Sequence, residues 1–135
     1  MSIRENQKVK YQSFKAIHLL ADDSDSNVNS IPANTKVVEV TGVTNNQTDY
    51  IVLPPLGQVS NGHEITILNS AGTGFELRTP SASAEEINSE DCDGTKELYM
   101  TDTQIVKVIK IDSTIGWMAH GYTAIGAVAA AVVPD

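Results

Sequence analysis

Short apolar runs recur along the chain, and each ends at a residue that interrupts regular structure. Residues 35–43 (TKVVEVTGV) are rich in β-branched side chains. Residues 49–54 (DYIVLP) form the continuous apolar run expected of a buried strand. Residues 63–70 (HEITILNS) alternate, with Ile65 and Ile67 facing one way and Glu64 and Thr66 the other. Residues 75–80 alternate again, Phe75, Leu77 and Thr79 opposite Glu76 and Arg78. Residues 104–112 (QIVKVIKID) place Ile105, Lys107, Ile109 and Ile111 on one face and Val106, Val108 and Lys110 on the other. Residues 116–122 (GWMAHGY) close the series, residues 8–14, with Val9 and Tyr11 two apart, open it, and residues 96–101 are a weaker member. Period-two alternation and β-branched enrichment both predict strands.

The interruptions are Asn45-Asn46, Pro54-Pro55, Asn61-Gly62, the stretch 71–74 and Asp93-Gly94. Asn and Gly tolerate positive φ, and Pro removes a ladder donor, so these positions read as turns. Their spacing suits an antiparallel sandwich or barrel. No helical stripe precedes residue 120, and residues 82–90 (ASAEEINSE) could form one helical turn at most. The expected architecture is therefore all-β: an antiparallel, jelly-roll-like β-sandwich over residues 31–122. Residues 1–30 are expected to be an N-terminal strand and arm, and 123–135 an apolar C-terminal tail.

Composition narrows the function. The chain has 135 residues, 41% of them hydrophobic and 19% charged, which fits one globular domain. Its net charge is −8, with only nine Lys and Arg. Phosphate affinity comes mainly from those two residues, so neither nucleic acid nor an anionic membrane is an expected partner. The apolar run 124–133 is too short to cross a bilayer, which needs about 20 residues. The polar start lacks the apolar core of a secretory signal, and none is expected. Cys92 is the lone cysteine, which excludes an internal disulfide and a cysteine zinc site. It reads as a bystander thiol in an acidic loop, and a cytoplasmic origin fits.

Candidate chemistry is thin. The stretch 22–29 (DDSDSNVN) begins like a calcium loop, but the positions that need Gly and Glu hold Val28 and Asn34. The acidic cluster Glu85, Glu86, Glu90, Asp91 and Asp93 could in principle do acid–base work on a glycan. It is read instead as a solvated loop. His18, His63 and His120 show no metal-binding spacing and no nucleophile elbow accompanies them. The stretch 72–77 (GTGFEL) leads into a strand, not a helix, and so is a hairpin turn rather than a phosphate cradle. No catalytic residue, metal or cofactor is expected. Trp117 is expected to plug the core. In the tail, Ile125, Val128, Val132 and Val133 would be costly to leave in water, and such patches usually mark interfaces. These four, with Val9 and Tyr11, are the expected partner-contact residues.

One pattern goes further. IVLPP (51–55), GHEITILN (62–69), GTGFELRTP (72–80), EIN (86–88), TQIVKVIKID (103–112) and GWMAHG (116–121) follow in order. Together they resemble a β-rich module of tailed-bacteriophage structural proteins, over about half the chain. The acidic stretch SEDCDG (89–94) and the apolar tail depart from that pattern. The resemblance implies a non-enzymatic homotrimer: a capsid decoration (cement) protein that binds the major capsid protein and strengthens contacts between capsomers. It would reside on the virion surface after assembly in the host cytoplasm. The alternative it implies is a trimeric fibre-tip module recognising a host surface glycan.

Overall fold

A computed structural model describes residues 15–94, 96–122 and 134. In chain order the strands are β1 (Lys15–Ala21), β2 (Thr35–Val43), β3 (Tyr50–Val52), β4 (Glu64–Asn69), β5 (Phe75–Arg78), β6 (Glu86–Ile87), β7 (Glu90–Asp91), β8 (Leu98–Met100), β9 (Ile105–Asp112) and β10 (Gly116–Tyr122). A single 3-10 turn, Leu56–Gln58, follows Pro55. The all-β expectation holds. The strands form a seven-stranded sheet, β1-β2-β4-β9-β10-β6-β7, and a three-stranded sheet, β3-β5-β8.

The expected antiparallel pairing does not hold throughout, and this corrects the jelly-roll reading. Among the described strand pairs four are parallel, β1 with β2, β2 with β4, β3 with β5 and β6 with β10. Parallel neighbours cannot be joined by a tight hairpin and need a crossover. Here the crossover is itself a strand in the other sheet. The chain leaves β2 for β3, returns to β4 and leaves again for β5. An earlier turn of the same winding begins at β1. It passes through residues 29–31, which flank β3: Val52 N donates to Asn29 O (2.9 Å) and Ile31 N to Val52 O (2.9 Å). The result is a short, solenoid-like coil. The later strands close it antiparallel, β8 on β5, β9 on β4 and β10 on β9.

Both sheets share one core. Val38, Val40, Ile65, Ile67, Val106 and Val108 point inward from the large sheet, and Ile51, Phe75, Leu77, Leu98 and Met100 from the small one. Trp117 is fully buried among them, as expected. The inward face of β9 is the Val106, Val108, Lys110 face. Lys110 sits at its end, buried, and donates from Nζ to Leu56 O (2.7 Å) and Val59 O (2.8 Å). It thereby fastens the 3-10 turn to the large sheet.

Of the expected N-terminal strand and arm, residues 15–30 lie within the described region. Residues 15–21 are β1, and Leu19, Ala21 and Ile31 lie in the core. Residues 1–14, with Val9 and Tyr11, fall outside the described region, as do 123–133 with Ile125, Val128, Val132 and Val133. The polar loop after β1 is organised by buried Asn29. Its Nδ2 donates to Ser24 O and Tyr50 O (both 3.0 Å), and its Oδ1 accepts from Ser26 N (2.9 Å). The helical turn allowed over 82–90 is instead the β6–β7 hairpin, turned by Asn88 and Ser89 at φ 51° and 69°. Two successive positive φ values suit the twist of a two-residue hairpin.

Candidate functional site

Polar clusters tie the corners of the fold, and in the first of them Asp49 Oδ1 is buried without a hydrogen-bond partner among the described residues. Asp22 Oδ1 and Asp49 Oδ2 share the single proton of the Thr44 hydroxyl, at 2.8 and 2.9 Å from its oxygen. Backbone N–H groups of Asp23 and Asn45 donate to the same two carboxylates (2.9 and 2.7 Å). The Thr44 hydrogen bond, aided by the Asp23 N–H, holds the Asp22 carboxyl below the usual carboxylate range. These residues tie the corner after β1 to the corner after β2.

A second cluster lies along the small sheet. Arg78 Nε donates to Glu76 Oε2 (2.9 Å), and the guanidinium sits 4.2 Å above the Tyr50 ring. The Tyr50 hydroxyl donates to Asp25 Oδ1 (2.7 Å), which also accepts from Ser81 (3.2 Å). Burial, and then the hydrogen bond to Asp25, push the Tyr50 hydroxyl up to about 12. It stays a protonated donor at physiological pH. Arg78 is matched by Glu76, while Asp25 is held by the Tyr50 and Ser81 hydroxyls, and the network stitches β3, β5 and the loop after β1.

The acidic loop is partly structural rather than simply solvated. Glu85 Oε1 accepts from Leu56 N (2.9 Å), on the other side of the residue that Lys110 holds by its carbonyl. Glu90 pairs with Lys96 (2.8 Å). Cys92 is fully buried and belongs to the core, which corrects the reading of it as a loop bystander. Burial pushes its thiol up to about 11. Folding therefore favours the neutral thiol: its contribution to stability is complete below the ordinary thiol pKa and falls away as pH rises through about 11. Native protein at pH 8 should leave Cys92 unmodified by a thiol reagent, and denaturant should release one equivalent. Rapid labelling without denaturant would contradict its placement.

No group of three or more His, Cys, Asp or Glu side chains is arranged to hold a metal ion among the described residues. His18 pairs with Glu39 on the surface (2.9 Å) and His63 Nε2 lies 2.9 Å from Thr35 O. His120 is exposed beside Tyr122. No helix of the described residues is long and apolar enough to cross a membrane.

What remains open is the outward face of the large sheet. Strand register aligns Ala16, Val37, Thr66, Lys107 and His120 in one row. His18, Glu39, Leu68, Ile105 and Tyr122 form the next. Glu64, Ile109 and Met118 form a third. Val37, Met118 and, at the end of β9, Ile111 are 44%, 41% and 40% exposed. Leu68, Ile105, Ile109 and Tyr122 are half-buried. The charges on this face pair internally. Lys107 meets Glu64 at 2.7 Å; that hydrogen bond holds the Glu64 carboxyl below, and the Lys107 amine above, its ordinary range. Beside the face, along β1, runs an open cleft of about 340 Å³ lined by His18, Leu19, Leu20, Asn27, Val28 and Thr41.

Sequence reasoning placed the interface in the terminal segments and passed over this face. The signal was present: β9 is apolar on both faces, and only one of them can pack into the core. The chain matches no protein-family model and no curated protein.

Proposed function

We propose that this protein acts by adhesion, as a structural component of a virion: a capsid decoration protein that sits on the assembled shell and clamps neighbouring capsomers. The observation that carries the reading is the broad outward face of the seven-stranded sheet, where apolar side chains lie exposed between internally paired charges. A monomeric soluble protein rarely leaves such a patch uncovered. Asp22, Asp49, Glu76 and Glu85 are engaged in holding corners and turns, which supports a non-enzymatic role. The motif order over residues 51–121 supports the phage setting, with the homotrimer as the assembly it implies and the major capsid protein as partner. Binding that favours the assembled shell stabilises it by mass action.

A fibre-tip module that recognises a host glycan is the second reading. The parallel winding from β1 through β5 favours it, because rungs of that kind stack into rods.

One experiment separates the two. Purified protein is mixed with shells that lack it and sedimented, and the same protein is offered to host cells. A decoration protein is expected to co-sediment at saturable stoichiometry and to raise the temperature at which the shells break. Binding to cells without binding to shells would transfer the proposal to the fibre tip. Binding to neither would remove both.

A further inference from the structure

We infer that the corner where β1, β2 and β3 meet is a calcium site, built from Asp22, Asp49, Thr44 and the carbonyl of Ala21. The inference does not depend on what the outward face of the large sheet binds.

The backbone forces two carboxylates into one place. Asp22 N donates to Tyr50 O (3.1 Å) and Tyr50 N to Asp22 O (2.9 Å), so the chain just past β1 is bridged to the start of β3. Asp49 immediately precedes Tyr50 and so arrives beside Asp22. Thr44, just past β2, is held there by its N–H on Ala21 O (3.0 Å). Around its hydroxyl oxygen stand Asp22 Oδ1 at 2.8 Å, Asp49 Oδ2 at 2.9 Å and Ala21 O at 3.2 Å. There is one hydroxyl proton for these three acceptors. The N–H groups of Asp23 and Asn45 add one donor to each carboxylate (2.9 and 2.7 Å). Two amide dipoles do not balance two full charges, and among the described residues neither Asp22 nor Asp49 has an ion-pair partner.

A buried oxygen points to a cation in particular. Asp49 is fully buried, and its Oδ1 has no hydrogen-bond partner among the described residues. It belongs to the carboxyl whose other oxygen already meets Thr44, so it stands in the same cluster. A buried charge left unpaired is costly, and a bound cation removes that cost. The donor set selects the ion. All these ligands are oxygens, which suit hard cations rather than zinc or copper. Calcium holds oxygens at about 2.3–2.6 Å, tolerates irregular geometry and accepts both oxygens of one carboxylate. Oxygens about 2.4 Å from one ion lie about 3 Å from one another, the spacing found around Thr44. The site needs only two acidic side chains, in keeping with the lack of a larger acid or histidine group among the described residues. Asp22 is half-buried and Thr44 exposed, so water can complete the shell from outside. Two carboxylates and a partly aqueous shell give weak affinity, a Kd of about 0.1–1 mM. The net charge of −8 draws the ion in.

The test is calorimetric titration of the full-length, chelator-treated protein with calcium chloride, with its unfolding temperature measured alongside. Wild type is expected to bind one calcium ion per chain and to unfold about 5 °C higher in about 10 mM calcium than in chelator. Asp22→Asn keeps the acceptor contacts of Oδ1 and removes only the charge. It should bind calcium at least tenfold more weakly, yet unfold in chelator no lower than wild type, which a merely structural carboxylate would not do. Asp49→Asn should repeat the loss from the buried side, and Asp22→Asn decides alone where that variant fails to fold. Glu90→Gln, in the acidic hairpin, should bind as wild type does. Magnesium, which demands near-ideal octahedral geometry, should bind at least tenfold more weakly than calcium. No heat and no calcium-dependent shift for wild type would mean that a proton satisfies these oxygens, and would overturn the inference. So would a loss on Glu90→Gln with none on Asp22→Asn, which places the ion in the hairpin. Magnesium binding as tight as calcium binding would reduce the effect to diffuse charge and overturn it too.

Discussion

Trp117→Ala is expected to lower the free energy of unfolding by about 3–5 kcal/mol, the usual range for deleting a buried large aromatic. Trp117 is fully buried in a core shared by both sheets. Its backbone pairs with Lys110 of β9 on one side and Ile87 of β6 on the other. Emptying this position leaves a void that rigid sheet neighbours cannot close, and the void adds to the lost burial. Trp117→Phe should lose less, about 1–2 kcal/mol, for two reasons. The ring still fills most of the space, and the indole Nε1–H, buried without a hydrogen-bond partner among the described residues, disappears with the substitution. Urea unfolding followed by circular dichroism measures both. A loss below 1 kcal/mol for the alanine variant would place the ring at the surface.

Gly116→Ala, one residue earlier, is expected to destabilise by about 2–5 kcal/mol, although it adds a single methyl group. Gly116 has φ +82°, a conformation in which an L side chain is strained. A Cβ built there would lie 2.5 Å from the backbone carbonyl oxygen of Glu86. Backbone cannot swing aside as a flexible side chain can. Relief would require β6 to move off β10, which breaks the bond from Asn88 N to Trp117 O (2.9 Å). It would also strain the pair of bonds between the Asn88 side chain and Ala119, at 2.8 and 3.2 Å. Gly72→Ala is the control. Its φ is +78°, but nothing lies within 4 Å of the added Cβ, so only the conformational part, about 1–2 kcal/mol, should appear. Equal losses at both sites would mean that the close approach of β6 contributes nothing.

These two residues also explain a motif. EIN and GWMAHG are well separated in sequence, yet Ile87 packs beside Trp117 and Asn88 bonds to Ala119. Gly116 is the residue small enough to let them meet.

Much of the fold was legible because alternation states which side chains face inward. It placed β2 and β10 at their observed ends, and the inward pairs of β4, Ile65 with Ile67, were correct. Alternation does not state which strand lies alongside, nor in which direction. The parallel partnership of β2 with β4 is fixed by winding through the other sheet, which no local window records. β1 escaped notice because five of the seven residues of KAIHLLA are Ala, Leu or Lys, which have little preference for strands, and its extended form comes from pairing with β2. The β6–β7 hairpin escaped because its strands have two residues each. The candidate surface was half legible. β9 displayed two apolar faces with a lysine on each, so the pattern did not say which of them meets the core. Lys110 faces inward because the carbonyls of Leu56 and Val59 receive its ammonium group.

The position of β9 governs the order in which the molecule can be made. It lies between β4 and β10 in the middle of the large sheet, yet it is the last but one of the described strands to leave the ribosome. Until it emerges, β4 presents a bare hydrogen-bonding edge with Ile65 and Ile67 beside it, the kind of surface on which nascent chains stick to one another. Contacts this distant along the polypeptide form slowly. Yield of native protein should therefore depend on how long translation lingers before residue 112, and on whether a chaperone shields the unfinished sheet during that interval.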